Sequence, residues 1–172
     1  MGEDQHSGLV NLPTGDDMFY WLFKSRREPS TDPLVIWLTG GPGCASEVAI
    51  FYENGPFSIN DDMTLLNNPY SWNAVSNIAF IDQPVGTGFS HITELDHLDS
   101  TEDQIASNMY LFINGFLDAN PEFVGRDFYI TGESYAGHYI PAIAYHLTHN
   151  VTDLRVNFKG VAIGNGWVDP YV

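Results

Sequence analysis

The 172-residue sequence predicts an α/β fold with a mostly parallel sheet and flanking helices. Two observations carry this. Apolar runs of strand length at Leu34–Leu38 (LVIWL), residues 78–81 (IAFI) and residues 128–131 (FYIT) have the composition of strands covered on both faces. Glycine-rich turns follow each run, and helical spacing separates two of them, with Ile105, Met109, Phe112, Ile113 and Phe116 recurring along residues 100–119.

Taken in order, residues 18–23 (MFYWLF) form a dense aromatic strand between the turn signal PTGDD and the polar stretch KSRREPSTDP. LVIWL is the next strand and ends in Thr39, Gly40, Gly41, Pro42 and Gly43. Glycines around a proline let backbone N–H groups approach a ligand, or simply make a tight turn. Residues 45–51 read as a helix that Gly55 and Pro56 stop, leaving Glu53 near its end. Residues 60–73 are polar and turn-rich and read as loop. After the strand at 78–81 comes DQPVGTG, which has neither the GK[ST] ending nor the GxGxxG spacing of a nucleotide loop. The helix at 100–119 has Ser100 and Thr101 as capping candidates. A last strand at 158–163 ends in Gly164, Asn165, Gly166 and Trp167, and the order reads as βα alternation throughout one domain, residues 1–172.

Composition narrows the function. A formal charge of −16, from 22 acidic residues against 6 Lys plus Arg, repels phosphate backbones and anionic membrane surfaces, so neither nucleic acid nor membrane is expected as partner. Many of those carboxylates are neutral at acid pH, which suits a vacuolar, lysosomal or secreted protein. No apolar run reaches the roughly 18 residues that span a bilayer, and the opening MGEDQHSG lacks the apolar core of a signal peptide, implying a leader that was removed or never existed. Cys44 is the single cysteine, which excludes an internal disulfide and a cysteine-rich zinc site; no metal or cofactor is expected.

The stretch DFYITGESYAGHYIP centres on Ser134. Gly132 lies two residues before it and Gly137 three after, with the small Ala136 between, so a strand can turn sharply into a helix and lift the hydroxyl clear of the sheet. This is the GxSxG nucleophile-elbow pattern with Ala136 in place of the last glycine; an ordinary serine in a glycine-bounded turn is the alternative.

Taken together, WLTGGPGCAS, ENGPFSI, NIAFIDQPVGTGFS, DFYITGESYAGHYIP and GVAIGNGWVDP resemble the N-terminal half of the serine carboxypeptidase family of α/β-hydrolases, from about Ser7 onward. The resemblance implies Ser134 as nucleophile and the backbone N–H groups of Tyr135 and Gly41 as oxyanion donors. It implies recognition of a peptide's free C-terminal carboxylate by Trp37, Thr39, Glu53 and Glu133. Thr39 stands where the family has Asn, and a lost amide donor costs about 1–3 kcal/mol. The two glutamates can bind an anion only when one carboxyl is protonated, so binding is expected to favour acid pH.

Cys44 matches a family cysteine whose partner would lie beyond Val172. The triad order Ser, Asp, His is not completed either, because only Asp153 and Asp169 follow Ser134 and no histidine follows them. His138 belongs to the elbow and reads as a packing residue, and His6, His91, His97, His146 and His149 look exposed. The sheet is therefore expected to be incomplete on its C-terminal side, the chain alone inactive, and a complementary C-terminal chain a possible partner. Asn150-Val151-Thr152 is a glycosylation sequon. The expected activity is release of C-terminal residues from peptides and proteins; alternatives are acyl transfer from activated esters and a non-catalytic half that binds a partner chain.

Overall fold

The computed structural model describes residues 2–171. Its strands and α-helices run in the order β1 (Gln5–Asn11), β2 (Asp17–Phe23), β3 (Leu34–Leu38), α1 (Glu47–Tyr52), β4 (Phe57–Ile59), β5 (Leu65–Asn67), β6 (Asn77–Ile81), α2 (Glu102–Ala119), β7 (Asp127–Glu133), α3 (Ala136–His149) and β8 (Asn157–Gly164). One sheet has the order β1-β2-β6-β3-β7-β8, and β4 pairs with β5 in a separate hairpin. Pairing is antiparallel from β1 to β6 and parallel from β6 to β8.

The side-chain period of two splits each central strand between two cores. Leu34, Ile36 and Leu38 face one side with Phe128 and Ile130, where Met109, Phe112 and Phe116 of α2 and Tyr139, Ile140 and Ile143 of α3 cover them. Val35, Trp37, Ile78 and Phe80 face the other side, under Ala49 and Ile50 of α1 and Phe57 of β4. Burial on both faces is why LVIWL shows no alternation.

Several expectations need correction. The chain is not βα throughout: β1 and β2 form a hairpin without a helix, because Gln5–Asn11 pairs along the whole of Asp17–Phe23. Most of β1 is exposed, so QHSGLVN carries little apolar signal. Residues 60–73 are not all loop, since Leu65–Asn67 pairs back onto Phe57–Ile59 and a 3-10 turn covers Trp72–Ala74. The first helix starts at Glu47 rather than at 45. His97 is half-buried, not exposed: its Nδ1 lies 3.0 Å from the buried Asp16 carboxylate, tying residues 91–100 to the β1–β2 turn. His146 is also half-buried, packed on Tyr110.

β8 lies at the sheet edge and most of it is exposed, including Val161. No helix among the described residues is long and apolar enough to cross a membrane.

α2 begins with a capping box: Thr101 Oγ1 accepts from Gln104 N–H at 3.3 Å, and Gln104 Oε1 accepts from Thr101 N–H at 3.1 Å. Replacing Thr101 with Ala should cost about 1 kcal/mol of stability, read as a lower denaturant midpoint at unchanged slope.

Candidate active site

Register sets the site. Parallel pairing matches Trp37 with Thr131 and Leu38 with Gly132. The chain therefore leaves β3 through Thr39, Gly40 and Gly41 beside the point where it leaves β7 through Glu133, Ser134 and Tyr135. This is the C-terminal edge of the parallel strands, where open α/β sheets bind ligands. Gly132 is required there, because a Cβ would lie 2.2 Å from Leu38 O and 2.8 Å from the Ala136 methyl. Ala136 thus fills the space that Gly132 leaves.

Ser134 has φ of 59°, the left-handed region that non-glycine residues rarely adopt. α3 starts two residues later, so strand, strained serine and helix follow as in a nucleophile elbow. The strain is held by backbone bonds from outside the turn: Ser134 N–H donates to Gly164 O at 3.0 Å, and Trp167 N–H donates to Ser134 O at 2.8 Å. Gly137 admits that clasp, since a Cβ on it would lie 2.8 Å from both N and O of Trp167.

The loop after β3 passes against the elbow. A Cβ on Gly40 would lie 2.5 Å from Tyr135 N and 2.8 Å from Glu133 O, and Gly41 takes φ of 114°. The N–H groups of Gly41 and Tyr135 find no acceptor among the described residues. Two free donors therefore flank the Gly40 contact beside Ser134. Further bonds hold the loop: Gly43 N–H to Tyr139 Oη at 3.2 Å, Cys44 N–H to Gly40 O at 3.1 Å, and Ser46 N–H to Asp82 Oδ1 at 2.8 Å.

On the other side stand Trp37, Thr39, Glu53 and Glu133. Trp37 Nε1–H donates to Thr39 Oγ1 at 3.1 Å, which leaves the Thr39 hydroxyl proton for a different acceptor. Glu53 caps the end of α1. Partial burial, and then the Glu133 charge, raise its carboxyl above the usual range. These residues share the sheet edge with Ser134.

Histidine does not complete the site among the described residues. His138 lies against the rings of Tyr135 and Trp167, at 4.7 and 5.9 Å between centroids, and Ser134 Oγ finds no hydrogen-bond partner among the described residues. His6 bonds Asn120 at 2.6 Å and His149 stacks on Tyr145. Asp153 accepts from Tyr110 Oη at 2.7 Å, and Asp169 accepts from Tyr171 N–H. Cys44 is exposed on the loop after Gly41, and Asn150 is exposed at the end of α3. A groove of about 590 Å³ between Val35, Trp72, Val75 and Tyr129 lies away from the elbow residues.

Sequence reasoning missed Tyr139, Ser46, Asp82 and the backbone of Gly164 and Trp167 as supports of this edge. Each acts through a contact between segments far apart in the chain; the available signal was that GNGW follows a strand, as TGGPG and DQPVG do. Because the elbow strains Ser134, Ser134→Gly should be more stable than Ser134→Ala by about 1 kcal/mol, once the 1–2 kcal/mol left-handed penalty is set against glycine's entropy. Equilibrium unfolding of the two variants measures this.

The serine carboxypeptidase family profile matches residues 1–172. Serine carboxypeptidase S10 family member 1 of Dictyostelium discoideum is 49% identical over 164 residues, covering 95% of this chain and 39% of that protein. Serine carboxypeptidase 3 of Hordeum vulgare is 49% identical over 172 residues, 97% of this chain and 34% of that protein. Among solved structures, the prohormone-processing carboxypeptidase Kex1(Δ)p of Saccharomyces cerevisiae superposes with a TM-score of 0.85 at 33% identity, over 98% of this chain and 40% of that one. An acylaminoacyl peptidase of Pyrococcus horikoshii, at 18% identity and a TM-score of 0.61, shares the fold. The chain thus spans between a third and two fifths of the length of these carboxypeptidases. With an α/β-hydrolase sheet and an elbow serine at its C-terminal edge, it belongs to the serine carboxypeptidase family.

Proposed function

We propose that Ser134 is the nucleophile of a serine-type carboxypeptidase whose triad Asp and His come from sequence outside these 172 residues. The observation that carries this is Ser134 in a left-handed elbow beside two unpartnered backbone N–H donors.

In this reading Ser134 Oγ attacks the carbonyl carbon of the last peptide bond and gives its proton to a histidine base. The N–H groups of Gly41 and Tyr135 receive the developing oxyanion; one such donor is worth roughly a hundred- to a thousand-fold in rate. Collapse breaks the C–N bond, the histidine protonates the leaving amine, and an acyl-enzyme on Ser134 remains. Water then attacks by the same route and releases the shortened peptide.

The free carboxylate of the substrate meets the Thr39 hydroxyl, whose proton Trp37 leaves available, and the neutral Glu53 acid beside Glu133. A protonated carboxyl can donate to an anion, and an ionised one repels it. Glu53 is held above the usual carboxylate range, so this side of the site works at acid pH and suits a vacuolar, lysosomal or secreted setting.

The test joins this chain to the remaining sequence of the Hordeum relative and supplies N-blocked dipeptides as free acids or C-terminal amides. Cleavage of the free acid with little of the amide is expected; equal cleavage of both removes the carboxylate reading. KM for the free acid should rise roughly tenfold or more as pH climbs through the elevated value of Glu53, and that rise should flatten in Glu53→Gln. A Glu53→Gln enzyme that keeps the full rise shows that another group is responsible.

A further inference from the structure

The loop that carries Gly41 is anchored by a carboxyl pair that the chemistry above does not use. Asp82 is almost fully buried just past β6. Its Oδ1 accepts from Ser46 N–H and its Oδ2 from Phe89 N–H, both at 2.8 Å. Residues 83–90 wrap so closely that a Cβ on Gly88 would lie 2.1 Å from Oδ2. Ser46 Oγ accepts from Thr39 N–H at 3.2 Å and donates to Ile81 O at 2.7 Å. The Asp82–Ser46 unit therefore ties both ends of the 39–46 loop to β6.

Glu47, the first residue of α1, is half-buried with its carboxyl in hydrogen-bonding contact with Asp82. No Lys or Arg relieves the pair. Lys24, Arg26, Arg27, Arg155 and Lys159 pair with Glu122, Glu3, Asp32, Asp118 and Asp127, and Arg126 is spent on carbonyls of Pro29, Asp32 and Glu122. Among the described residues Asp82 is the one charged group that acts on Glu47, and Glu47 the one titratable partner of Asp82. Two touching carboxylates cannot both ionise cheaply, so one proton is shared.

We propose that Asp82 and Glu47 are positioning residues for the Gly41 loop: Asp82 holds it through Ser46, and Glu47 stabilises that hold by donating its O–H to the Asp82 carboxylate. The functional meaning rests on Gly41 as oxyanion donor. Burial, and then the Asp82 charge, push the Glu47 carboxyl up to about 7. Because the folded value exceeds the unfolded one, the stabilisation is complete below the unfolded value and is lost as pH rises through about 7. The loop is therefore firm in acid and loosens above neutrality.

The test follows the backbone amide signals of Gly41, Gly43 and Ser46 by NMR from about pH 5 to about 8, in wild type and Glu47→Gln, with unfolding measured alongside. In wild type the three amides should shift together with a midpoint near that of Glu47, while the unfolding equilibrium constant grows roughly tenfold or more. Glu47→Gln, which keeps a neutral donor, should abolish the concerted amide shift and shrink the growth of the unfolding constant to what the other raised carboxyls contribute. Loop amides that stay still in wild type, or move equally in Glu47→Gln, overturn the proposal. If the variant does not fold, the side-chain carboxyl carbon of Glu47 in wild type decides, and an ordinary carboxylate midpoint overturns it. None of these readouts involves turnover, so an unreactive Ser134 would remove the peptidase reading and leave this outcome standing on its own.

Discussion

The contact between Gly40 and the elbow is the constraint on which the rest of the site depends. A Cβ at residue 40 would lie 2.5 Å from Tyr135 N, 2.8 Å from Glu133 O and 2.9 Å from Ser134 Cβ, so two segments nearly a hundred positions apart touch backbone to backbone. Parallel pairing of β3 with β7 brings the strand ends level, and glycine removes the last obstacle. Once the loop lies there, Tyr135 N sits at the Gly40 contact and Gly41 N–H follows it by one residue. The strain at Ser134 is affordable because Gly164, Trp167 and α3 fix its backbone on three sides.

Charge is divided in the same spatial way. Burial raises the carboxyls of Glu47, Glu53, Asp82, Asp99 and Glu102, while the 6 Lys and Arg residues are engaged elsewhere. Asp32 shows the opposite case: hydrogen bonds from Arg27 and then Ser25 hold its carboxyl down at about 2. By linkage, the raised group favours the folded state in acid, and a lowered one favours it once ionised. A chain of formal charge −16 therefore keeps part of its negative charge unformed in acid, and more of it appears as pH rises.

Much of this was legible in the sequence because its signals are local. IAFI and LVIWL are strand-length and buried on both faces, the stripe from Ile105 to Phe116 repeats with helical period, and GESYAG places glycine on either side of one serine. What was not legible depends on contacts between distant segments. β1 forms because β2 offers it a full row of backbone partners, which QHSGLVN does not announce. The β4–β5 hairpin is only three residues per strand. His97 is chosen by Asp16, 81 positions away, and Tyr139 by Gly43, 96 positions away, and no periodicity marks either pair. Nor did the sequence show that the Thr39 hydroxyl accepts from Trp37, which leaves its proton for a different acceptor.

The central claim is that this chain builds the nucleophile and its oxyanion donors but not the base. Intact mass after exposure to a fluorophosphonate serine probe tests it most directly, on the 172-residue chain alone and on the chain completed by the remainder of its Hordeum relative, each with a Ser134→Ala control. The account predicts no adduct on the chain alone and one adduct on the completed protein, lost in Ser134→Ala. A Ser134-dependent adduct on the chain alone would show that a base lies within these residues, and no adduct on a folded completed protein would show that Ser134 is not the nucleophile.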